Sequence, residues 1–450
     1  MSQPILRQLG CTESPFASYA ENGQEKQLAQ AAAAVAKFST NFEEESFQSA
    51  IKQSVDYMRI KYAALKCGIQ KSSEGQFHFV KSSTNELNYR FLKVDSENDA
   101  WAHFQSEATK GIPEFETLLY RVTLIQITHS NQYFIIANVH HSLADGFVYD
   151  RILGEILSVA SDIVFQNKTT FDNQIDERPL IAPIENFFLS DLSRWSFFKL
   201  VLRMTWRSLG RGKAIYAIDD TRKAPWTERQ SVYNRSNFAP DKLGLLKHKT
   251  RSHKTTVNGA IAAAMIFAFE KLIQEYPEKS VLRVAHAVDL RRRLPSNKDL
   301  ENNLFCAASG VNTYHEIGQL SDFWKLAADV RNNLHNEIEV HRTPWRVLFA
   351  MKEALNLFDY ADGPFSGRSE TLGISNIGAV KSCQDCQSEQ LQIDSVYIAG
   401  SIQIVGSLIS AIVTTINDTL CFSFMACEPL IHQEELDQFA KDVIQLLEES

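Results

Sequence analysis

Within YFIIANVHHSLADGFVYDRI, residues 133–152, the adjacent histidines His140 and His141 are followed by Asp145, four residues after the second, and then by Gly146. A neutral imidazole, with a pKa near ~6.5, can take a proton from a weak nucleophile such as an alcohol at neutral pH. A carboxylate four residues away can hydrogen-bond that imidazole, share a metal with it on one helical face, or cap the helix that follows. The metal reading needs third and fourth ligands, and no nearby His, Cys or carboxylate has a recognisable ligand spacing, so no metal site is assigned. Either residue alone has a plain structural explanation, a core histidine or an N-cap. The signal lies in the whole string, His-His-x-x-x-Asp-Gly, placed between a strand and a helix.

Those elements are legible on both sides. Residues 121–139 read as a hairpin, two β-rich runs separated by the polar tetrad HSNQ, and the second run delivers the chain to His140. After Gly146 the period changes, and Val148, Ile152, Leu153, Ile156, Leu157 and Ala160 share one helical face. The stretch 165–186, polar and with two prolines, reads as a linker and marks the domain boundary. Elsewhere, 43–61 predicts an amphipathic helix with Phe47, Ile51, Val55 and Met58 inward, and 255–273 predicts an Ala-rich helix with Asn258 as N-cap. Residues 280–294 read as a strand ending in a charged cluster, and the chain closes with a hairpin turning at Asn417 and Asp418 and a final helix, 433–449.

The 450 residues are 44% hydrophobic and 22% charged, an ordinary globular balance that suggests two domains. A net charge of −8 provides no field for phosphate backbones, so nucleic-acid binding is excluded. The N-terminus shows no secretory or organellar address, no apolar run is long enough to span a bilayer, and seven scattered cysteines fit a reducing compartment, so a cytoplasmic protein is expected. Cys383 and Cys386 have redox or metal spacing without a second pair, and a surface loop is the expected setting. Residues 187–209 carry Lys199, Arg203 and Arg207 opposite a wide apolar face; this fits a packed helix or a peripheral membrane contact.

The string HHSLADG at 140–146 resembles the signature of the CoA-dependent acyltransferase superfamily. That group includes chloramphenicol acetyltransferase, plant BAHD acyltransferases, condensation domains of peptide synthetases, and alcohol and phthiocerol-type acyltransferases. VDLRRRL at 288–294 followed by NNLF, GISNIG at 373–378, the opening RQLGCTES and the closing hairpin and helix resemble it too, so the likeness spans most of the chain. The plant-type Asp-Phe-Gly-Trp-Gly segment is absent, which excludes a plant BAHD enzyme.

The resemblance implies an α/β fold of two chloramphenicol-acetyltransferase-like lobes, each a mixed β-sheet with flanking helices, around a central solvent channel. The lobes are expected at 1–175 and 191–450, with a crossover linker at 176–190. It makes His141 the general base, Asp145 a structural carboxylate paired with Arg291, Gly146 a point of close approach, and Ser375 and Asn376 residues near the substrate channel. His140 is expected to support the loop.

The implied reaction is direct attack of an alcohol on an acyl-CoA thioester in a ternary complex, by a monomer with acyl-CoA as co-substrate and no tightly bound cofactor. An oxyanion donor is needed, and Ser375 or Asn376 is the candidate. Alternatives are an amide-forming or acyl-carrier-protein-dependent relative, or a non-catalytic descendant that binds an acyl ligand. GISNIG is not Gly-x-Ser-x-Gly, so a serine hydrolase is disfavoured.

Overall fold

The two β-rich runs around HSNQ form an antiparallel pair, Tyr120–Ile127 and Gln132–His140, joined through His129 in the left-handed region at φ 58°. The computed structural model describes residues 4–450 other than 24–30, 85, 113–116, 167–174, 188–194, 196–197, 199–201, 203–212, 216–221, 274–279, 295–299, 301–302, 319–321 and 354–366.

That pair sits inside a five-stranded sheet with the order Leu391–Gly400, Ala31–Thr40, Gln132–His140, Tyr120–Ile127, Tyr89–Val94. The last two strands are parallel and the other neighbours antiparallel. Side chains alternate between the two faces of a strand, and both faces are covered: Tyr133 meets Phe47 of helix Glu44–Lys61, whereas Phe134 meets Trp101 of helix Glu97–Lys110. Phe47, Ile51, Val55 and Met58 are the buried stripe of the first of these helices, as their spacing predicts. A small sheet of Ile5–Gln8, Phe77–Lys81 and Cys67–Lys71 carries the N-terminus.

A second mixed sheet runs in the order Ala308–Glu316, Ser280–Asp289, Arg368–Ala379, Gly406–Ile416, Thr419–Glu428, Gln230–Phe238, with Lys213–Ala214 beside Ser280–Asp289. Its core is built with helices Val257–Leu272, Phe323–His335 and Gln433–Glu449. The closing hairpin turns where expected, with Asn417 and Asp418 at φ 46° and 56°, the left-handed pair that a two-residue hairpin loop requires.

Strand Leu391–Gly400 completes the first sheet against Ala31–Thr40, which otherwise has an unpaired edge. Two expectations are corrected. The helix cap is Thr256, whose side chain accepts from Gly259 N at 3.1 Å, so Asn258 lies inside the first turn. Cys383 and Cys386 are buried on a short helix, Lys381–Asp385 and its end, instead of lying on a surface loop. Gly154 allows this approach, since a Cβ there would lie 2.2 Å from the Ser382 carbonyl carbon.

Of the expected linker, residues 175–187 are described, and Ile181, Ile184 and Glu185 are buried. Most of 187–209 lies outside the described residues; within it, Trp195, Phe198 and Leu202 are exposed. Among the described residues no helix is long and apolar enough to cross a membrane.

Candidate active site

Strand Gln132–His140 ends at His140, and helix Gly146–Gln166 begins at Gly146, so the expected loop is a tight turn between a fixed strand and a fixed helix. The helix buries Val148, Ile152, Leu153, Ile156, Leu157 and Ala160, the face its period predicts. Tyr149 ties the two elements together, its hydroxyl reaching the Val139 carbonyl at 2.7 Å and that of Ala32.

Asp145 is buried and every contact it makes is a constraint. Its Oδ1 accepts from Val148 N at 3.3 Å, the N-cap role expected of it. Its Oδ2 accepts from Arg291 Nη1 at 2.6 Å and from Ala307 N at 2.8 Å, both in the second lobe. Arg291 is held in turn by Asp289 Oδ1 at 3.3 Å and the Phe305 carbonyl, with its guanidinium 4.8 Å from the Phe147 ring centre and 4.6 Å from that of Phe305. Burial pushes the Arg291 pKa down, but the Asp145 and Asp289 carboxylates outweigh it and leave the group above its ordinary value. The ion pair joins the lobes.

Gly146 is pressed by the second lobe as well. A Cβ at this position would lie 2.1 Å from Ile377 Cδ1, so the close approach is that of a side chain from strand Arg368–Ala379. Ser375 pairs in register with Ile412, which, like Ile377, packs against the first core. Asn376 pairs with Val413 of the second core, on the opposite face, and its Oδ1 accepts from Gly378 N at 3.1 Å. Ser375 and Asn376 therefore lie on opposite faces of the strand, Ser375 on the face toward the first core.

His141 is held differently. Its ring stacks on Phe16, centroids 3.9 Å apart and planes 6° from parallel. Its Nδ1 is buried and bonds to no other described residue, which leaves Nε2 as the nitrogen at the open edge. Burial pushes its pKa below the ordinary value, opposed by a hydrogen bond to its own backbone and by the Asp145 carboxylate. The resting imidazole is neutral and able to accept a proton.

His140 is fully buried, and its Nδ1 accepts from Ser142 N at 3.2 Å. Burial, with the neighbouring His141, holds its pKa at about 3, so it is a neutral buttress of the loop.

Two contacts are not readable from the motifs: Ile377, an apolar residue inside GISNIG beside Ser375 and Asn376, and Phe16, two residues beyond RQLGCTES. No group of three or more metal-ligating side chains occurs among the described residues.

Residues 232–422 match the family described as phthiocerol/phthiodiolone dimycocerosyl transferase C-terminus. No curated protein sequence matches the chain. Among solved structures, trichothecene 15-O-acetyltransferase from Fusarium sporotrichioides is similar at a TM-score of 0.74 and 10% identity, over 98% of this chain and 94% of that one. Polyketide synthase associated protein 5 from Mycobacterium tuberculosis is similar at 0.64 and 16% identity, over 100% of both chains. The condensation domain of the Monacolin K polyketide synthase is similar at 0.70 and 11% identity, over 100% of this chain and 98% of that one. The family match lies within the C-terminal part of the chain, and the chain as a whole shares the two-lobed fold of these acyltransferase and condensation-domain structures.

Proposed function

We propose that the protein transfers an acyl group from acyl-CoA to the hydroxyl of a small lipophilic alcohol, with His141 as general base. The observation that carries this reading is the open Nε2 edge of a neutral imidazole, on a loop whose other end is clamped across the lobes. The alcohol oxygen attacks the thioester carbonyl carbon as its proton passes to His141 Nε2. The tetrahedral intermediate then collapses, the C–S bond breaks, and His141 returns the proton to the departing thiolate, giving an ester and free CoA. The Ser375 hydroxyl, which makes no hydrogen bond with a described residue, is the donor we assign to the oxyanion. Asp145 takes no proton; its carboxylate is spent on Arg291, Ala307 and the helix cap.

The test is thiol release from acetyl- and longer acyl-CoAs in the presence of a panel of alcohols and amines. The protein's seven cysteines are buried, so a thiol reagent reads released CoA with little background. We expect His141→Ala to lower the rate by about 10²–10⁴-fold, the usual contribution of a positioned base. A wild-type rate no greater than that of the variant across the whole panel refutes the reading.

The fold likeness to condensation domains favours one further arm, in which the donor is an acyl group on a phosphopantetheinylated carrier protein. Turnover with the carrier-bound donor alone would replace acyl-CoA in the proposal and leave the role of His141 intact. An amine outpacing every alcohol would replace ester formation with amide formation.

A further inference from the structure

We propose that Phe16 is a positioning residue for proton transfer: its ring face sets the plane of the His141 imidazole and stabilises the imidazolium that forms during turnover. Its part in turnover rests on the reading of His141 as the base; the ring contact does not.

The stack is close and nearly parallel, with centroids 3.9 Å apart and planes 6° apart. The two rings therefore meet face to face in van der Waals contact. A cation over the same face is attracted by the ring quadrupole. The contact therefore favours the protonated ring, the state that proton abstraction creates.

The surroundings make that selectivity useful. Burial keeps the resting imidazole neutral and makes its cation costly. A second carboxylate would offset the cost but would also hold the proton; an aromatic face offsets part of it without a fixed charge. The charged and titratable neighbours are otherwise engaged. Asp145 and Arg291 neutralise one another, His140 is held neutral, burial keeps the Cys306 thiol protonated, and Glu13 is taken up by Arg7.

Phe16 is also fixed in place. It lies in the first turn of helix Ser14–Gly23, directly after a segment tied to both lobes. Glu13 accepts from Arg7 Nη1 and Nη2, each at 2.7 Å, and from Gly10 N at 2.6 Å. Ser142, adjacent to His141, donates to the Glu13 carbonyl at 2.7 Å, and Thr12 donates to the Cys306 carbonyl at 3.0 Å. The N-terminal segment is therefore a wall of the site.

The test is an NMR titration of the full-length protein with ¹³C-labelled histidine, the His141 signal assigned by its loss in His141→Ala. Phe16→Leu keeps apolar bulk and removes the ring; we expect the His141 protonation constant to fall roughly threefold or more. Phe16→Tyr should leave it at the wild-type value. Pentafluorophenylalanine at position 16 keeps the ring shape and reverses the quadrupole, so it should lower the constant even if the leucine variant folds poorly.

Unchanged titration in both the leucine and the pentafluoro proteins overturns the proposal. The acid limb of the kcat/KM profile should move with the titration. A titration that moves while the rate profile stays fixed shows that His141 is not the base, which is a failure of the functional reading and of the role in turnover, separable from the first result.

Discussion

The two ends of the seven-residue turn HHSLADG are built to opposite specifications. At one end Asp145 is surrounded by donors from its own helix and from the second lobe, and its partner Arg291 is sandwiched between two phenylalanine rings. At the other, His141 makes one face contact with Phe16 and keeps Nε2 at an open edge. A buried carboxylate and guanidinium are expensive to desolvate and are retained only if every charge is answered. A base must keep one lone pair unanswered until substrate arrives. The contrast separates what holds the lobes together from what can perform chemistry, although only three residues lie between the two side chains.

The largest effect that would test this contrast is removal of one member of the clamp. Arg291→Ala leaves the Asp145 carboxylate buried without a counter-charge, and Asp145→Ala leaves Arg291 only the more exposed Asp289; the first should lower unfolding free energy by about 3–5 kcal/mol in urea titrations and the second by somewhat less. Less than ~1 kcal/mol for both would mean that the clamp is not what joins the lobes.

Next is Gly146→Ala, whose Cβ meets Ile377 Cδ1 at 2.1 Å. Overpacking should cost about 1–3 kcal/mol. Truncation in the double variant Gly146→Ala/Ile377→Ala should recover part of that loss, and strict additivity would deny the contact.

The pH dependence tests both lobes together. Burial depresses the pKa of His140 in the first lobe and of His286 in the second to about 3. A folded-state value below the ordinary ~6.5 means that the unfolded chain binds more protons. The stability is therefore whole above about pH 6.5 and is lost progressively as pH falls from there toward about 3. Thermal melts across this range should show the decline, and His140→Gln should flatten part of it.

The smallest expected effect on stability is that of His141→Ala, about 1 kcal/mol or less, since the ring is only partly buried and carries no clamp. A loss as large as that of Asp145→Ala would erase the distinction between the two ends. His140→Gln should cost less activity than His141→Ala, because His140 holds the loop and offers no open nitrogen toward a substrate.

Much of this is legible in the sequence alone. The hairpin ending at His140, the helical face beginning at Val148 and the Asn417–Asp418 turn all follow from the identities of neighbouring residues, because local period and turn chemistry act over a few positions. Local signals also misled. Asn258 has the chemistry of an N-cap, but Thr256 reaches Gly259 N first. Cys383 and Cys386 sit in a polar stretch that reads as surface, yet Gly154 lets their short helix press into the first lobe.

By itself the sequence determined the strand-turn-helix frame, the residue types that could act as base and cap, and, through the resemblance, the pairing of Asp145 with Arg291. Tertiary structure decided which nitrogen of His141 is open, that Ser375 and Asn376 lie on opposite faces of their strand, that Ile377 covers Gly146, that Phe16 lies on the imidazole, and that strand Leu391–Gly400 belongs to the first sheet. Each of these depends on where segments far apart in the chain cross. That crossing is set by how two cores and a shared buried ion pair close around one another, and no window of neighbouring residues encodes it.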